Sequence, residues 1–356
     1  METYFCKTKI LVDDISALKK LGAKRLMVVA DPFFAENGTA KRLTDLCEES
    51  CIFSEISPDP PVEQVARATA KMKAFAPDTV AAIGGGSAID CAKAMIFFSG
   101  LPVTFVAIPT TSGSGSEVTD FAVLTHNGVK HPLVDGALCP DAAILDYELL
   151  RKLPKTLVAD GGFDVLSHAL EAFVAAGAGQ ITDALAAEAF SAAVQALPGS
   201  YAGQFAARQK MHMASTMAGM AFSQAGLGLC HAMAHALGGM FHLPHGRLNA
   251  ILLPAIIGAN SANAAAKYAA ISRKAGFGGA ADTISVRSLK NGLIRLRREL
   301  EMPETLAQAG ISPRQVWENA GKIVQATLQD PCCKTNPVRV EDFTVRRVLE
   351  EVTGRG

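Results

Sequence analysis

TVAAIGGGSAIDCAKAM, residues Thr79–Met95, runs from an apolar β-rich stretch through three glycines and a serine into a helical pattern. A strand that ends in glycine and opens a helix is half of a βαβ unit, whose crossover helix returns the chain to a neighbouring parallel strand. Two further apolar runs, Arg25–Ala30 (RLMVVA) and Thr104–Ile108 (TFVAI), are separated from it by amphipathic stretches, so the first part of the chain is expected to be α/β with a parallel sheet. Each run stops at turn chemistry: Asp31-Pro32, Gly84-Gly85-Gly86-Ser87 and Pro109-Thr110-Thr111-Ser112-Gly113. Ligands of open parallel sheets gather outside such carboxyl ends.

The glycines bear on what that ligand is. Without side chains, Gly84, Gly85 and Gly86 let backbone N–H groups approach an anion at a helix N-terminus, where the macrodipole favours negative charge. The pattern is not GxGxxG, and no such fingerprint follows Arg25–Ala30, so an ordinary Rossmann domain is disfavoured. PTTSGSGSEVT at Pro109–Thr119 adds hydroxyls from Thr110, Thr111 and Ser114 and more backbone donors at an adjacent strand end. Two such loops together form a candidate phosphate cradle for a dinucleotide. Asp31 admits two readings: a carboxylate that accepts from a ribose diol and repels a 2′-phosphate, which favours NAD over NADP, or an Asx turn before Pro32.

From about Leu157 the strand signals stop, and Ala-, Leu- and Met-rich segments with helical periodicity run to the end. The expected organisation is an α/β nucleotide-binding domain over residues 1–157 and an all-helical domain over 158–356, with the boundary near Lys155–Asp160 and a ligand cleft between the halves. At 356 residues the chain is long enough for two cores. Lys plus Arg and Asp plus Glu both number 34, which leaves no bulk field for nucleic acid or an anionic membrane surface. The eight cysteines form no CxxC pair and the N-terminus reads as no signal peptide, so a reducing cytoplasm is expected. Met211–Gly246 lacks Asp, Glu, Lys and Arg and is long enough to span a bilayer. Its five histidines and its breaks at Gly226, Gly228 and Pro244 favour a buried helical hairpin instead.

Those histidines carry the second chemical signal. Asp164 and His168 in GGFDVLSHALEAF are four apart and share a helical face, and His231 and His235 repeat the spacing in CHAMAHALGG. His245 follows in LPHG. Any one histidine is explained as a core residue. Several imidazoles and a carboxylate on nearly charge-free helices each need a partner, and one cation satisfies all of them. Oxygen and nitrogen donors without thiolate suit Fe(II), Zn(II), Mn(II) or Co(II).

Taken together, GGGSAIDCAKA, PTTSGSGSEVT, Lys130 before HPLVDGALCPDAAILD, GGFDVLSHALEAF and GLGLCHAMAHALGGMFHLPHGRLNAILLP resemble the iron-containing (group III) alcohol dehydrogenase family over nearly the whole chain. The resemblance implies a dehydroquinate-synthase-like nucleotide domain and a helical metal domain. It implies metal ligation by Asp164, His168, His231 and His245, with His235 near nicotinamide and substrate as the catalytic residue. It implies that Gly84, Gly85, Gly86, Ser87, Asp90, Thr110, Thr111 and Ser114 bind NAD(H), and that Lys130 approaches the ribose. Where members carry a GxGS segment near the N-terminus, this chain reads ILVDDISAL at Ile10–Leu18.

Within the family, SEISPDP, CCKTNP and the Met211–Gly246 stretch resemble the propanol dehydrogenases of propanediol-degrading bacterial microcompartments. That implies reduction of a short aldehyde to its alcohol, in a homo-oligomer in the cytoplasm, inside or beside a microcompartment shell and its lumen enzymes. Met217, Met220, Phe222, Met233, Met240 and Phe241 on charge-free segments are expected around the site, a lining that disfavours anionic substrates. The rivals are a glycerol-dehydrogenase-like enzyme and a dehydroquinate-synthase-like enzyme acting on a phosphorylated acid. The second needs a basic pocket, and between Asp164 and His245 the chain offers only Arg208 and Lys210.

Overall fold

Three of the strands in the first half are the apolar runs read from the sequence. The computed structural model describes residues 6–126 and 129–354, with the side chains of Val129 and Lys130 outside that description. The strands are β1 (Lys9–Leu11), β2 (Arg25–Ala30), β3 (Glu49–Phe53), β4 (Thr79–Gly84), β5 (Thr104–Pro109), β6 (Phe121–His126), β7 (Val129–Val134) and β8 (Ala142–Ile144). Six of them form one parallel sheet in the order β1-β8-β5-β4-β2-β3. Helices α1 (Pro32–Glu36), α2 (Thr39–Thr44), α3 (Val62–Phe75) and α4 (Gly86–Ser99) connect them.

The period of two along each strand sorts side chains onto two faces, and both faces are buried. Met27, Val29, Val80, Ala82, Phe105 and Ala107 pack with α3 and α4 residues such as Met72, Ile89 and Met95. Leu26, Val28, Ala81, Ile83, Val106 and Ile108 face Ile15, Leu18, Ala40 and Leu43 on the other side. This double burial is why the strands read as continuous apolar runs and not as alternating ones.

After β2 the chain goes outward to β3, and after β3 it returns to place β4 on the other flank of β2. The carboxyl ends of β2 and β4 therefore flank the switch point of the sheet, where open α/β folds bind ligands. The two ends are tied by the Asp31 N–H donating to the Ile83 carbonyl at 2.9 Å. Strands β6 and β7 were not read from the sequence. They make a separate antiparallel ribbon with Phe121 opposite Val134.

The chain divides into two compact units, Met1–Leu153 and Pro154–Gly356. The second consists of α5 (Lys155–Val174), α6 (Gln180–Tyr201), α7 (Phe205–Ala225), α8 (Leu229–Phe241), α9 (His245–Lys274), α10 (Asp282–Glu299), α11 (Pro313–Glu318), α12 (Ala320–Gln329) and α13 (Asp342–Thr353), with short turns between them. Helix α5 is buried on nearly every side from Val158 to Val174, the mark of a central helix, and it packs on α6, α7 and α9. The buried hairpin expected over Met211–Gly246 is not what forms: α7 packs on α5 and α6, while α8 packs on α9 and α12, so the two consecutive helices find different neighbours. Helix α9 is long and apolar enough to cross a membrane, but 67% of its most apolar window is buried inside the protein, as in a core helix.

Candidate active site

Within the helical unit three elements bring four sequence-predicted side chains together: Asp164 and His168 from α5, His231 from the first turn of α8, and His245 from the first residue of α9. The Nε2 atoms of His168 and His231 each stand 3.8 Å from Asp164 Oδ1, and His245 Nε2 stands 3.5 Å from it. Donors that share one divalent cation at about 2.0–2.2 Å are separated by roughly 3–3.5 Å, so this donor set is close to closing on a single ion. The ligand atoms of Asp164, His168 and His231 form a compact buried group of the kind that holds a metal. Its donors are nitrogen and oxygen without thiolate, which fits Fe(II) or Zn(II).

The ionisable groups of this cluster act strongly on one another. Burial would raise the Asp164 carboxyl, yet the imidazoles of His168, His245 and His231 hold it well below the usual carboxylate range. His231 is pulled down by burial and pushed up more strongly by the Asp164 and Glu171 carboxylates, to about 9. His212, on α7, is the opposite case: burial pushes it down to about 4, and it belongs to the core.

Glu171 was not singled out from the sequence. One helical turn beyond His168, its carboxylate accepts from His231 Nδ1 at 2.6 Å, which directs Nε2 to the metal side of the ring. It also accepts from the backbone N–H groups of Gly228 (3.1 Å), Cys230 (2.7 Å) and His231 (3.3 Å). One buried carboxylate thus orients a ligand and satisfies the start of α8. Asn249, on α9, donates to Asp164 Oδ1 at 2.9 Å. Cys230, beside His231, is fully buried with its thiol directed to Asn249, and burial raises its pKa well above the ordinary value, so it is a structural thiol.

The start of α9 is pressed against α5. A Cβ on Gly246 would lie 1.9 Å from the Asp160 carbonyl oxygen, so the residue after His245 has to be glycine for this approach. The neighbouring Arg247 is held by Asp160 through two hydrogen bonds of 3.2 and 2.9 Å. His235, one turn after His231, stacks its ring on His245 at 5.1 Å and bonds Asp330 Oδ2 through Nδ1 at 2.9 Å. Of the apolar residues expected around the site, Phe222 stacks on His168 at 4.2 Å. Met217 instead lines a groove between α6 and α7 with Glu188 and Gln195.

In the first unit the two glycine loops face one another. A Cβ on Gly85 would meet Thr111 Oγ1 at 3.3 Å, and one on Gly86 would meet the Ser114 side chain at 3.2 Å. Gly84 has φ +156°, and its Cβ would lie 2.6 Å from Ala88 Cβ and 3.0 Å from Asp31 Cβ. Among the described residues no side chain caps α4, which leaves its first N–H donors for an anion. Thr110 is buried, with its N–H on the Gly84 carbonyl. Ser87 Oγ accepts from the Asp59 N–H at 3.3 Å.

Asp90 is used inside the protein: it accepts from Ser116 Oγ at 2.5 Å and from the Val123 N–H at 3.0 Å, pinning the second loop to α4. Lys93, one turn on and fully buried, holds the Thr119 and Phe121 carbonyls at 2.8 Å. Asp31 caps α1 by accepting from the Phe33 N–H at 2.9 Å, the Asx-turn arrangement, with one of its two oxygens. Lys130 pairs with Thr125 in the β6–β7 ribbon, and its side chain lies outside the described residues.

Residues 2–147 match the family described as iron-containing alcohol dehydrogenase, and residues 158–353 match the C-terminal part of the same family. The 1-propanol dehydrogenase PduQ of Citrobacter freundii is 42% identical, with 95% of each chain covered. An NADPH-dependent butanol dehydrogenase of Clostridium saccharobutylicum is 36% identical, over 94% of this chain and 93% of that one. The structure of the iron-containing alcohol dehydrogenase from Thermococcus thioreducens superposes with a TM-score of 0.92 at 30% identity, covering 98% of this chain and 99% of that one. Agreement over both halves, together with a donor set suited to iron, establishes that the chain belongs to the iron-containing alcohol dehydrogenase family of oxidoreductases.

Proposed function

We propose that the chain reduces short neutral aldehydes, propanal foremost, to their alcohols with NADH at an iron centre held by Asp164, His168, His231 and His245. The observation that carries this reading is the convergence of three imidazole nitrogens on Asp164 Oδ1 at 3.5–3.8 Å. When bound, the metal supplies Lewis acidity to the substrate oxygen and NADH supplies the hydride.

The protein's own residues do the rest. Residues 1–157 hold the nucleotide: Gly84, Gly85, Gly86, Ser87, Thr110, Thr111 and Ser114 receive the phosphates, Asp90 braces them, Lys130 approaches the ribose, and Asp31 turns its remaining oxygen to the ribose diol. Residues 158–356 hold metal and substrate, with His235 carrying the proton between the product oxygen and water. A neutral substrate is favoured because Arg247, the cation beside His245, is already paired with Asp160, so a substrate carboxylate would be desolvated without a partner. Propanal follows from the likeness to a 1-propanol dehydrogenase. A cytoplasmic homo-oligomer, inside or beside a microcompartment shell, is the setting that this likeness implies.

The test is anaerobic purification with Fe(II), metal analysis, and kcat/KM for ethanal, propanal, butanal, lactaldehyde and succinic semialdehyde with NADH and with NADPH. Each methylene in an apolar pocket is worth only about 1–3 kcal/mol, so the unsubstituted aldehydes should differ modestly and the charged semialdehyde should trail them. A preference for the semialdehyde would overturn the substrate reading. Equal efficiency with NADPH, the cofactor named for the butanol dehydrogenase, would remove the role given to Asp31.

A further inference from the structure

We propose that Asp330 is a positioning residue for this reaction: it holds His235 in a single tautomer, with hydrogen on Nδ1 and a bare Nε2. The claim rests on the reading of His235 as the proton carrier, and it is built on a contact between residues 95 apart in the chain. Asp330 follows the last residue of α12 and His235 lies in the middle of α8, with Oδ2 and Nδ1 at 2.9 Å.

A carboxylate only accepts hydrogen bonds, so the nitrogen facing it must carry the hydrogen. Both Asp330 oxygens are engaged as acceptors, Oδ2 toward His235 Nδ1 and Oδ1 from the Cys332 N–H at 2.9 Å, so the carboxylate has no hydrogen to offer the ring. With Nδ1 committed, all proton exchange of the ring runs through Nε2, on the edge away from Asp330. The ring plane is set as well, because His235 also stacks on the His245 imidazole at an interplanar angle of 19°. An imidazole with one nitrogen occupied by a carboxylate and the plane fixed by a neighbouring ring has its other nitrogen aimed.

Asp330 has a second job that a test must keep apart from the first. Its Oδ1 accepts from the Cys332 N–H at 2.9 Å and caps the turn Pro331–Thr335. Asp330→Asn keeps an oxygen for that cap but presents an N–H where Oδ2 stood, so His235 must accept through Nδ1 and carry its hydrogen on Nε2. Asp330→Ser keeps a capping oxygen and drops the His235 contact altogether.

The expected result for both variants is a fall in kcat of about 10²-fold or more with KM for propanal within a few-fold of wild type. Iron content and melting temperature should be unchanged. In 15N-histidine spectra of metal-free protein, the His235 ring should change from the Nδ1–H to the Nε2–H pattern in Asp330→Asn. In a His235→Ala background the Asp330→Asn substitution should have no further effect on kcat.

Wild-type kcat in Asp330→Asn, or an unchanged nitrogen pattern, overturns the proposal and leaves Asp330 as a cap alone. Failure of the wild-type enzyme to reduce any aldehyde is a different result, visible before a variant is made, and overturns the proposed function instead.

Discussion

The candidate sites of the two units are built in opposite ways for a charged partner. In the helical unit the candidate centre is made of side chains: Asp164, His168 and His231 occupy buried positions that would be costly if unpartnered, half-buried His245 joins them, and Glu171 and Asn249 fix the directions of His231 and Asp164. In the α/β unit the cradle is made of missing side chains, with Gly85 and Gly86 facing Thr111 and Ser114 across a gap that a Cβ would begin to fill. One site fails when atoms are removed and the other when atoms are added. The expected mutant responses follow from that asymmetry.

The largest effect belongs to the side-chain site. His168→Ala or His245→Ala should lower turnover by at least about 10³-fold and lower bound iron with it, while circular dichroism stays native. Near-normal rates at a metal content well below one per chain would break the comparison at its first term.

Next is acid stability, which separates the two kinds of histidine on α7 and α8. His212 protonates near 6.5 when unfolded and near 4 when folded, so the unfolded state binds more protons between those values. Stability is therefore complete above about pH 6.5 and declines as pH falls toward 4, by up to roughly 3 kcal/mol for this group. Urea midpoints measured across that range should fall less steeply in His212→Gln than in wild type.

Glu171→Gln should weaken metal affinity by about 10–100-fold, read by competition with a chelator, since the amide no longer fixes the His231 tautomer. Unaltered affinity would reduce Glu171 to a helix cap. The smallest change is in the cradle, where Gly86→Val should raise KM for NADH roughly ten-fold, about 1.4 kcal/mol of binding, and leave iron content untouched. Gly84→Ala sharpens the contrast within one loop. Its φ of +156° and its contact with Ala88 make it a folding position, and the loss expected there is about 1–3 kcal/mol of stability.

What could be read in advance follows the same division. Strands β2, β4 and β5 were legible because burial on both faces makes them unbroken apolar runs that stop at glycine or proline. The convergence of His168, His231 and His245 on Asp164 was legible because ionisable residues on charge-free helices are rare. The β6–β7 ribbon was not, since the apolar run of β6 is only Phe121–Leu124 and its partner strand carries Lys130, His131 and Pro132; Asn127-Gly128 in the sequence is the local cue for a hairpin. Glu171 and Asp330 escaped because their partners lie 57–60 and 95 residues away, although Asp164, His168 and Glu171 do recur on one helical face. Asp90, read from the sequence only as a cofactor contact, also braces the second loop through Ser116 and Val123, a role that only the fold reveals.

The four candidate ligand side chains are unequally covered: His231 is 1% exposed, His168 6% and Asp164 12%, whereas His245 is 28% exposed. If all four hold one ion, its affinity would be shared among them but its exchange rate would not. A cation, or a chelator coming after one, meets His245 first, and His245 sits beside the glycine that is pressed onto Asp160. The residence time of a bound ion would then be governed by how readily one imidazole at the head of one helix swings aside, so a change at Pro244, which alters neither His245 nor the Gly246 contact, should alter the rates of loading and loss together and leave the equilibrium constant nearly where it was.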